Sequence, residues 1–364
     1  MTALTMNTTP QSGRAIAVTG ATGFIARFIV ELLLEQGYYV RATCRDLGDT
    51  AALAQLKQLP RARTHLSFFC INLLDRELDE TARECLRGCD ALIHTATPIH
   101  IALGSERGLQ PAEVERSQLL PAVEGTERLL HAALAEGVKN VVLTCSTGCI
   151  KGRKDIDASR RRGLRVAADV WTDESYCIAK GQHYRRAKLL QERCAVAFCA
   201  AHSMKLDRIL PDIVLGPKRD SRLNFSHKVL LRYLDGSFAR EGAPRGVVGM
   251  VDVRDVATAH VRAAERLLRG GAGGGRFVMS VPYARCAALC DELRATFPWA
   301  RGVPAPGHLA PGAYVRIPPS VETSPVEALI GSALRNRAEI LAASVDALVV
   351  GGFLLRARSA PSRL

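Results

Sequence analysis

Two tyrosine–lysine pairs stand close together in this chain, Tyr176 with Lys180 and Tyr184 with Lys188. At i, i+4 spacing on a helix, a phenol and an ammonium share one face. A phenol of ordinary pKa about 10 exchanges its proton poorly at neutral pH, and a neighbouring cation favours the phenolate. Bringing it to about 7 takes roughly 4 kcal/mol of differential stabilisation. Such a pair suits proton transfer to or from a carbonyl or alcohol oxygen. Spacing does not separate the two pairs, but the surrounding helix pattern does. Ala187, Leu190, Cys194, Ala197 and Ala201 continue an apolar stripe from Tyr184, whereas Gly181 directly follows Lys180 and weakens a helix by about 1 kcal/mol. Tyr184 and Lys188 are therefore the candidates, and Tyr176 reads as a loop or turn aromatic.

These residues need a scaffold, and the stretch Val18 to Ala26 points to one. Gly20 and Gly23 allow a sharp turn after a short apolar strand, Ala15 to Val18, and before a helix from Phe24 to about Gln36. Backbone at Gly20, Thr22, Gly23, Phe24 and Ile25 could then approach a pyrophosphate, which the helix N-terminus favours. Ala26 stands where a third glycine is often found. Strand and helix alternate from here on, as in a parallel sheet covered on both faces. Further strands are expected over Tyr38 to Thr43, His65 to Ile71, Ala91 to Thr95, Val138 to Thr144 and Lys205 to Leu210, with helices over Arg76 to Leu86 and Ala112 to Glu136. Pro111 and Pro121 predict a kink or break in the last of these.

The strand ends at Asn72-Leu73 and at Thr95-Ala96-Thr97-Pro98 lie at the carboxyl edge, where an open α/β sheet binds its ligand. The cofactor is read from the second strand. An acidic residue about 20 positions after the glycine turn would hold the ribose 2′-OH of NAD. This chain has Arg41 there, with Arg45 following and no carboxylate before Asp46. A guanidinium suits a 2′-phosphate, so Arg41 favours NADP over NAD. Beyond Pro211 the pattern changes, with helices expected near Ser226 to Leu234 and Val256 to Leu268, a strand over Gly246 to Val253, and a loop-rich remainder ending in a helix near Ala338 to Val350. The expected fold is α/β, a Rossmann-type doubly wound parallel sheet over 14–210. A smaller substrate-binding lobe over 211–364 is partly interleaved with it, and 1–13 form a disordered tail.

The totals describe an ordinary globular protein, with 48% hydrophobic and 23% charged residues in 364. The formal charge of +13 and the basic run Lys151, Arg153, Lys154, Arg160, Arg161, Arg162 and Arg165 raise nucleic-acid binding. Few aromatics and no nucleic-acid motif argue against it, so no nucleic-acid partner is expected. No stretch suits a secretory signal or a membrane span, and the 11 cysteines include no C-x-x-C pair. Free thiols in a reducing, cytoplasmic compartment and no metal site are expected.

On Val18 to Ala26, Val40 to Thr43, His94 to Pro98, Thr144 to Gly148, Tyr184 to Lys188, Leu210 to Pro217 and Val251 to Ala257, the chain resembles the extended short-chain dehydrogenase/reductases. Within them it is most similar to the dihydroflavonol reductase and cinnamoyl-CoA reductase-like branch. The resemblance covers about Ala15 to Leu268. It also favours Tyr184, because Pro211 follows Lys188 by the branch's interval. It implies catalytic roles for Ser146, Tyr184 and Lys188, a 2′-phosphate contact at Arg41, and an adenine contact at Asn72 and Leu73. The nicotinamide side falls to Pro211 through Val214 with Ser226. Asn72 and Cys145 depart from the branch's usual Asp and Ser, and the chain beyond Leu268 matches poorly. The implied activity is hydride transfer between NADPH and a carbonyl or secondary alcohol of a small to medium hydrophobic substrate, in a monomer or homodimer. An NAD-dependent nucleotide-sugar epimerase or dehydratase is the alternative, and a non-enzymatic dinucleotide sensor a third.

Overall fold

The structure, a computed structural model, describes residues 13–73, 75, 78–97, 111–154, 165–218, 222–242, 246–305 and 318–355. The expected N-terminal tail apart from Gly13, Arg76 at the start of an expected helix, Pro98 and Arg160 to Arg162 lie outside these residues.

Seven strands make one parallel sheet: β1 (Ala15–Thr19), β2 (Tyr39–Cys44), β3 (Leu66–Cys70), β4 (Ala91–His94), β5 (Asn140–Thr144), β6 (Lys205–Pro211) and β7 (Arg276–Met279). Their order is β3-β2-β1-β4-β5-β6-β7, so the winding reverses beside β1 and opens a crevice at the carboxyl edge between β1 and β4. Successive side chains pack on opposite faces, as a two-residue period requires. Ile16 and Val18 of β1, Ile93 of β4 and Val142 of β5 pack toward helices α1 (Phe24–Glu35) and α4 (Val253–Leu268). Ala17, Leu92, Val141 and Leu143 pack on the other face, with α2 (Leu120–Ala135) and α3 (His183–Ala201). The inner strands β1, β4, β5 and β6 are covered on both sides, hence their short apolar runs, whereas edge strand β3 has no fully buried residue.

The proline-punctuated segment breaks as expected, into a turn of helix at Pro111–Val114, a π-helical stretch at Glu115–Leu119, and α2. Pro121, which has no N–H to give to a helical carbonyl, follows the π-helical stretch by two residues. Other expectations need correction. Tyr176 lies in a short helix, Glu174–Ala179, capped by the Asp173 side chain. The α4 helix begins at Val253, three residues earlier than its apolar pattern suggests, because the Asp252 side chain caps it. The chain beyond Leu268 is not mostly loop among the described residues. It supplies edge strand β7, helix Ser324–Ile330, whose Val326 and Ile330 join the core on the α1 side, and helices Cys286–Thr296 and Arg337–Val350, which with Leu230 build a third apolar cluster around Leu293, Ile340 and Val345.

Candidate active site

The turn after β1 is held by its own backbone. Gly20 adopts φ +67°, and a Cβ there would meet the Cα of Ala96 at 3.2 Å, so this position needs glycine. Ala21 N–H donates to Thr43 O (2.8 Å) and Gly23 N–H to Gly20 O (2.8 Å), which locks the turn to β2. Gly23 caps α1 without a side chain, leaving first-turn N–H groups for a ligand. Thr19 Oγ1 accepts the N–H groups of Thr95 (3.1 Å) and Ala96 (3.0 Å), tying the ends of β1 and β4 together. Gly125 of α2 lets that helix sit against Leu73, since a Cβ there would lie 2.7 Å from Leu73 Cβ.

A cavity of about 630 Å³ opens over these strand ends. Gly20, Thr22, Gly23, Phe24, Ile25, Asn72, Leu73, Thr95, Ala96 and Thr97 line one part, and Ser146, Tyr184, Lys188, Pro211, Val214 and Ser226 the other. Tyr176 and Lys180 are not among its lining residues, and neither is Arg41. The Arg41 guanidinium instead donates to the carbonyls of Glu84 (3.0 Å) and Cys85 (3.3 Å) and lies over the Phe69 ring. The reason is geometric. A residue inside a strand points onto a sheet face, here one covered by the helix Leu78–Leu86, whereas a residue past the strand's end reaches the crevice. Arg45, exposed and just beyond β2, lines the cavity in its place. The readable signal was position: the first base after the strand, rather than the base within it. Asp46 turns back to accept Gly48 N–H (2.7 Å), and the one carboxylate among the lining residues is Asp212, which lines the Tyr184 part rather than the Arg45 part.

The other end is dry. Lys188 is 3% exposed, and its ammonium donates to Thr97 Oγ1 (2.8 Å), Thr144 O (3.0 Å) and Gln191 Oε1 (2.9 Å). All three of its hydrogens are committed within the protein. Burial pushes this ammonium below the ordinary lysine value. Desolvation pushes the Tyr184 phenol up to about 12, against a hydrogen bond with Ser146 that lowers it. In the ligand-free cavity desolvation thus outweighs the groups that favour the phenolate. Ser146 Oγ in turn accepts Gly148 N–H (3.0 Å), which orients it.

Residue types did not flag Asp212. Its carboxylate receives Lys151 Nζ at 2.8 and 3.0 Å, Ile213 N–H at 3.0 Å, and the Tyr283 hydroxyl. Burial alone would raise its pKa, but Lys151, Tyr283 and the Ile213 N–H hold it below the usual carboxylate value. Lys151 thus leaves the basic run to clamp the turn after Ser146 onto the end of β6, and Arg165 pairs with Asp169 and Glu322. Among the described residues no group of His, Cys, Asp or Glu is arranged to hold a metal ion.

A glycine turn feeding α1 at the switch point, with a tyrosine and lysine of one helix facing the same cavity as a strand-end serine, defines a dinucleotide-dependent oxidoreductase of the short-chain dehydrogenase type. The profile of the NAD dependent epimerase/dehydratase family matches residues 16–279, and the chain belongs to that family. Within it the chain falls in the dihydroflavonol reductase and cinnamoyl-CoA reductase-like branch. Cinnamoyl-CoA reductase 1 of Oryza sativa subsp. japonica is 32% identical over 283 residues, 78% of this chain and 76% of that protein. Tetraketide alpha-pyrone reductase 1 of Arabidopsis thaliana is 28% identical over 94% of this chain and 98% of its own. In fold, the yeast methylglyoxal/isovaleraldehyde reductase Gre2 complexed with NADPH superposes with a TM-score of 0.77 at 23% identity, covering 93% of this chain and 100% of the other. Among the described residues no helix is long and apolar enough to cross a membrane.

Proposed function

We propose that the protein is an NADPH-dependent reductase acting on the carbonyl of a small to medium hydrophobic substrate. One observation carries the reading: Tyr184, hydrogen-bonded to Ser146, shares a cavity with Lys188, while at the other end Arg45 stands where an NAD-binding protein would place a carboxylate. Thr22, Gly23 and the first turn of α1 would hold the pyrophosphate, Arg45 the 2′-phosphate, and Asn72 with Leu73 the adenine. Asn72 donates its amide to Asp75 (2.8 Å), which fixes which way its carbonyl oxygen turns. Pro211, Val214 and Ser226 would flank the nicotinamide. When bound, NADPH supplies the hydride. Ser146 holds the carbonyl oxygen, and Tyr184, protonated through the neutral range, gives that oxygen its proton. Lys188 keeps a positive charge beside the developing phenolate. The lobe after Pro211 forms the substrate side, and the free thiols fit a reducing cytoplasmic setting.

The test is NADPH consumption against a panel of aromatic and aliphatic aldehydes, ketones and acyl thioesters. Tyr184→Phe is expected to lower turnover by about 10²–10⁴-fold, the usual worth of a positioned proton donor. Unchanged turnover in that variant would overturn the assignment.

A further inference from the structure

Beneath the cavity a chain of hydrogen bonds links elements far apart in sequence. Gln191 Oε1 accepts a hydrogen bond from the Lys188 ammonium (2.9 Å), and Gln191 Nε2 donates to Thr126 Oγ1 (2.9 Å). Thr126 Oγ1 meets His94 Nε2 (3.0 Å), and His94 Nδ1 meets Thr19 Oγ1 (2.8 Å). Gln191, Thr126 and His94 are at most 1% exposed.

The polarity of this chain is fixed from both ends. An ammonium only donates, so the Gln191 oxygen faces Lys188 and its NH₂ faces Thr126. Thr19 Oγ1 already accepts two backbone N–H groups, so its own hydrogen goes to His94 Nδ1 and the imidazole proton sits on Nε2. This requires a neutral ring, and burial together with Lys188 lowers His94 to about 3. Gln191 is therefore aimed by groups that cannot turn, and it lies outside the lining of the cavity.

Among the ionisable groups near Lys188, the Glu192 charge favours the ammonium from a distance, but none of them is among its hydrogen-bond acceptors. Glu192 is committed to Arg276 and Arg208, burial raises the Cys145 thiol well above its ordinary value, and His94 is neutral. Of the three acceptors of the ammonium, Thr144 O is backbone and Thr97 stands on the cavity wall. We propose that Gln191 is a positioning residue, whose amide oxygen, aimed through Thr126 and His94, holds the Lys188 ammonium charged and in place beneath Tyr184. Its catalytic meaning rests on the reductase reading; its structural content does not.

The test is a pH titration of the ¹³Cε resonance of Lys188 in lysine-labelled, cofactor-free protein, the resonance being assigned by its loss in Lys188→Met. Gln191→Met keeps the shape and removes the acceptor. It should lower the midpoint by on the order of one unit, and Gln191→Glu, which puts a carboxylate there, should raise it comparably. Opposite shifts support the proposal, because a space-filling role would not change sign with charge. Coincident midpoints, or shifts in one direction, overturn it. Should Gln191→Met not fold, Gln191→Leu, which likewise removes the acceptor, takes its place: a downward shift supports, no shift or an upward one overturns. No cofactor or substrate enters the titration. A protein inactive on carbonyls therefore leaves this result standing, and coincident midpoints leave the reductase reading standing.

Discussion

At one end of the cavity Arg45, Thr22 and Asn72 stand on turns that directly follow β2, β1 and β3, Arg45 exposed and the other two partly so, a few residues from the strands that place them. At the Tyr184 end the side chains of Lys188, Glu192 and Asp212 are buried, and each charge is met by partners from distant parts of the chain. Lys188 finds Thr97 and Thr144, Glu192 finds Arg276 and Arg208, and Asp212 finds Lys151 and Tyr283. Water screens charges at the open end, so residue type and position in the turn suffice there. A dry site demands a partner for each charge, and that partner comes from wherever the fold delivers one.

The sharpest way to break this contrast is to remove one buried partner. Glu192 pairs with Arg276 at 2.6 Å, and the same guanidinium binds the carbonyls of Ala168 (2.7 Å) and Val170 (2.6 Å) and stacks on Trp171. Glu192→Ala leaves a buried guanidinium without its anion and is expected to destabilise the protein by about 3–5 kcal/mol, measured by urea unfolding. A loss under about 1 kcal/mol would place this pair with ordinary surface ion pairs.

Asp212→Asn should have a smaller and pH-dependent effect. The folded pKa of Asp212 is depressed, so its contribution is present above the unfolded value of 3.8 and is lost as pH falls through the folded value. The variant is expected to be about 1–2 kcal/mol less stable at neutral pH, with the gap to wild type closing below that value. A gap that stays constant on acidification would mean that packing, not charge, holds the cluster.

What could be read from sequence follows the same division. The glycine turn, the alternation of strand and helix, and the choice of α3 over the helix before it rest on neighbours within a few residues, and the structure places Tyr184 and Lys188 on the cavity. Arg41 shows the limit at the open end, because the pattern registers a base near the strand end but not which face of the sheet it points to. At the dry end Gln191 and Asp212 are ordinary residue types whose meaning comes from Thr126 and Lys151, separated by 65 and 61 positions. Edge strand β7 escaped for a similar reason: its four residues include Arg276, which reads as surface until Glu192 is placed beside it.

The claim that this cavity takes NADPH through Arg45 is tested most directly by nicotinamide fluorescence titrations with NADPH and NADH on wild type, Arg45→Ala and Arg41→Ala. The account predicts a preference for NADPH that falls by about 10–100-fold in Arg45→Ala, the worth of one or two charge-assisted bonds, and persists in Arg41→Ala. Equal or tighter binding of NADH to wild type, or a preference lost in Arg41→Ala and kept in Arg45→Ala, would contradict it.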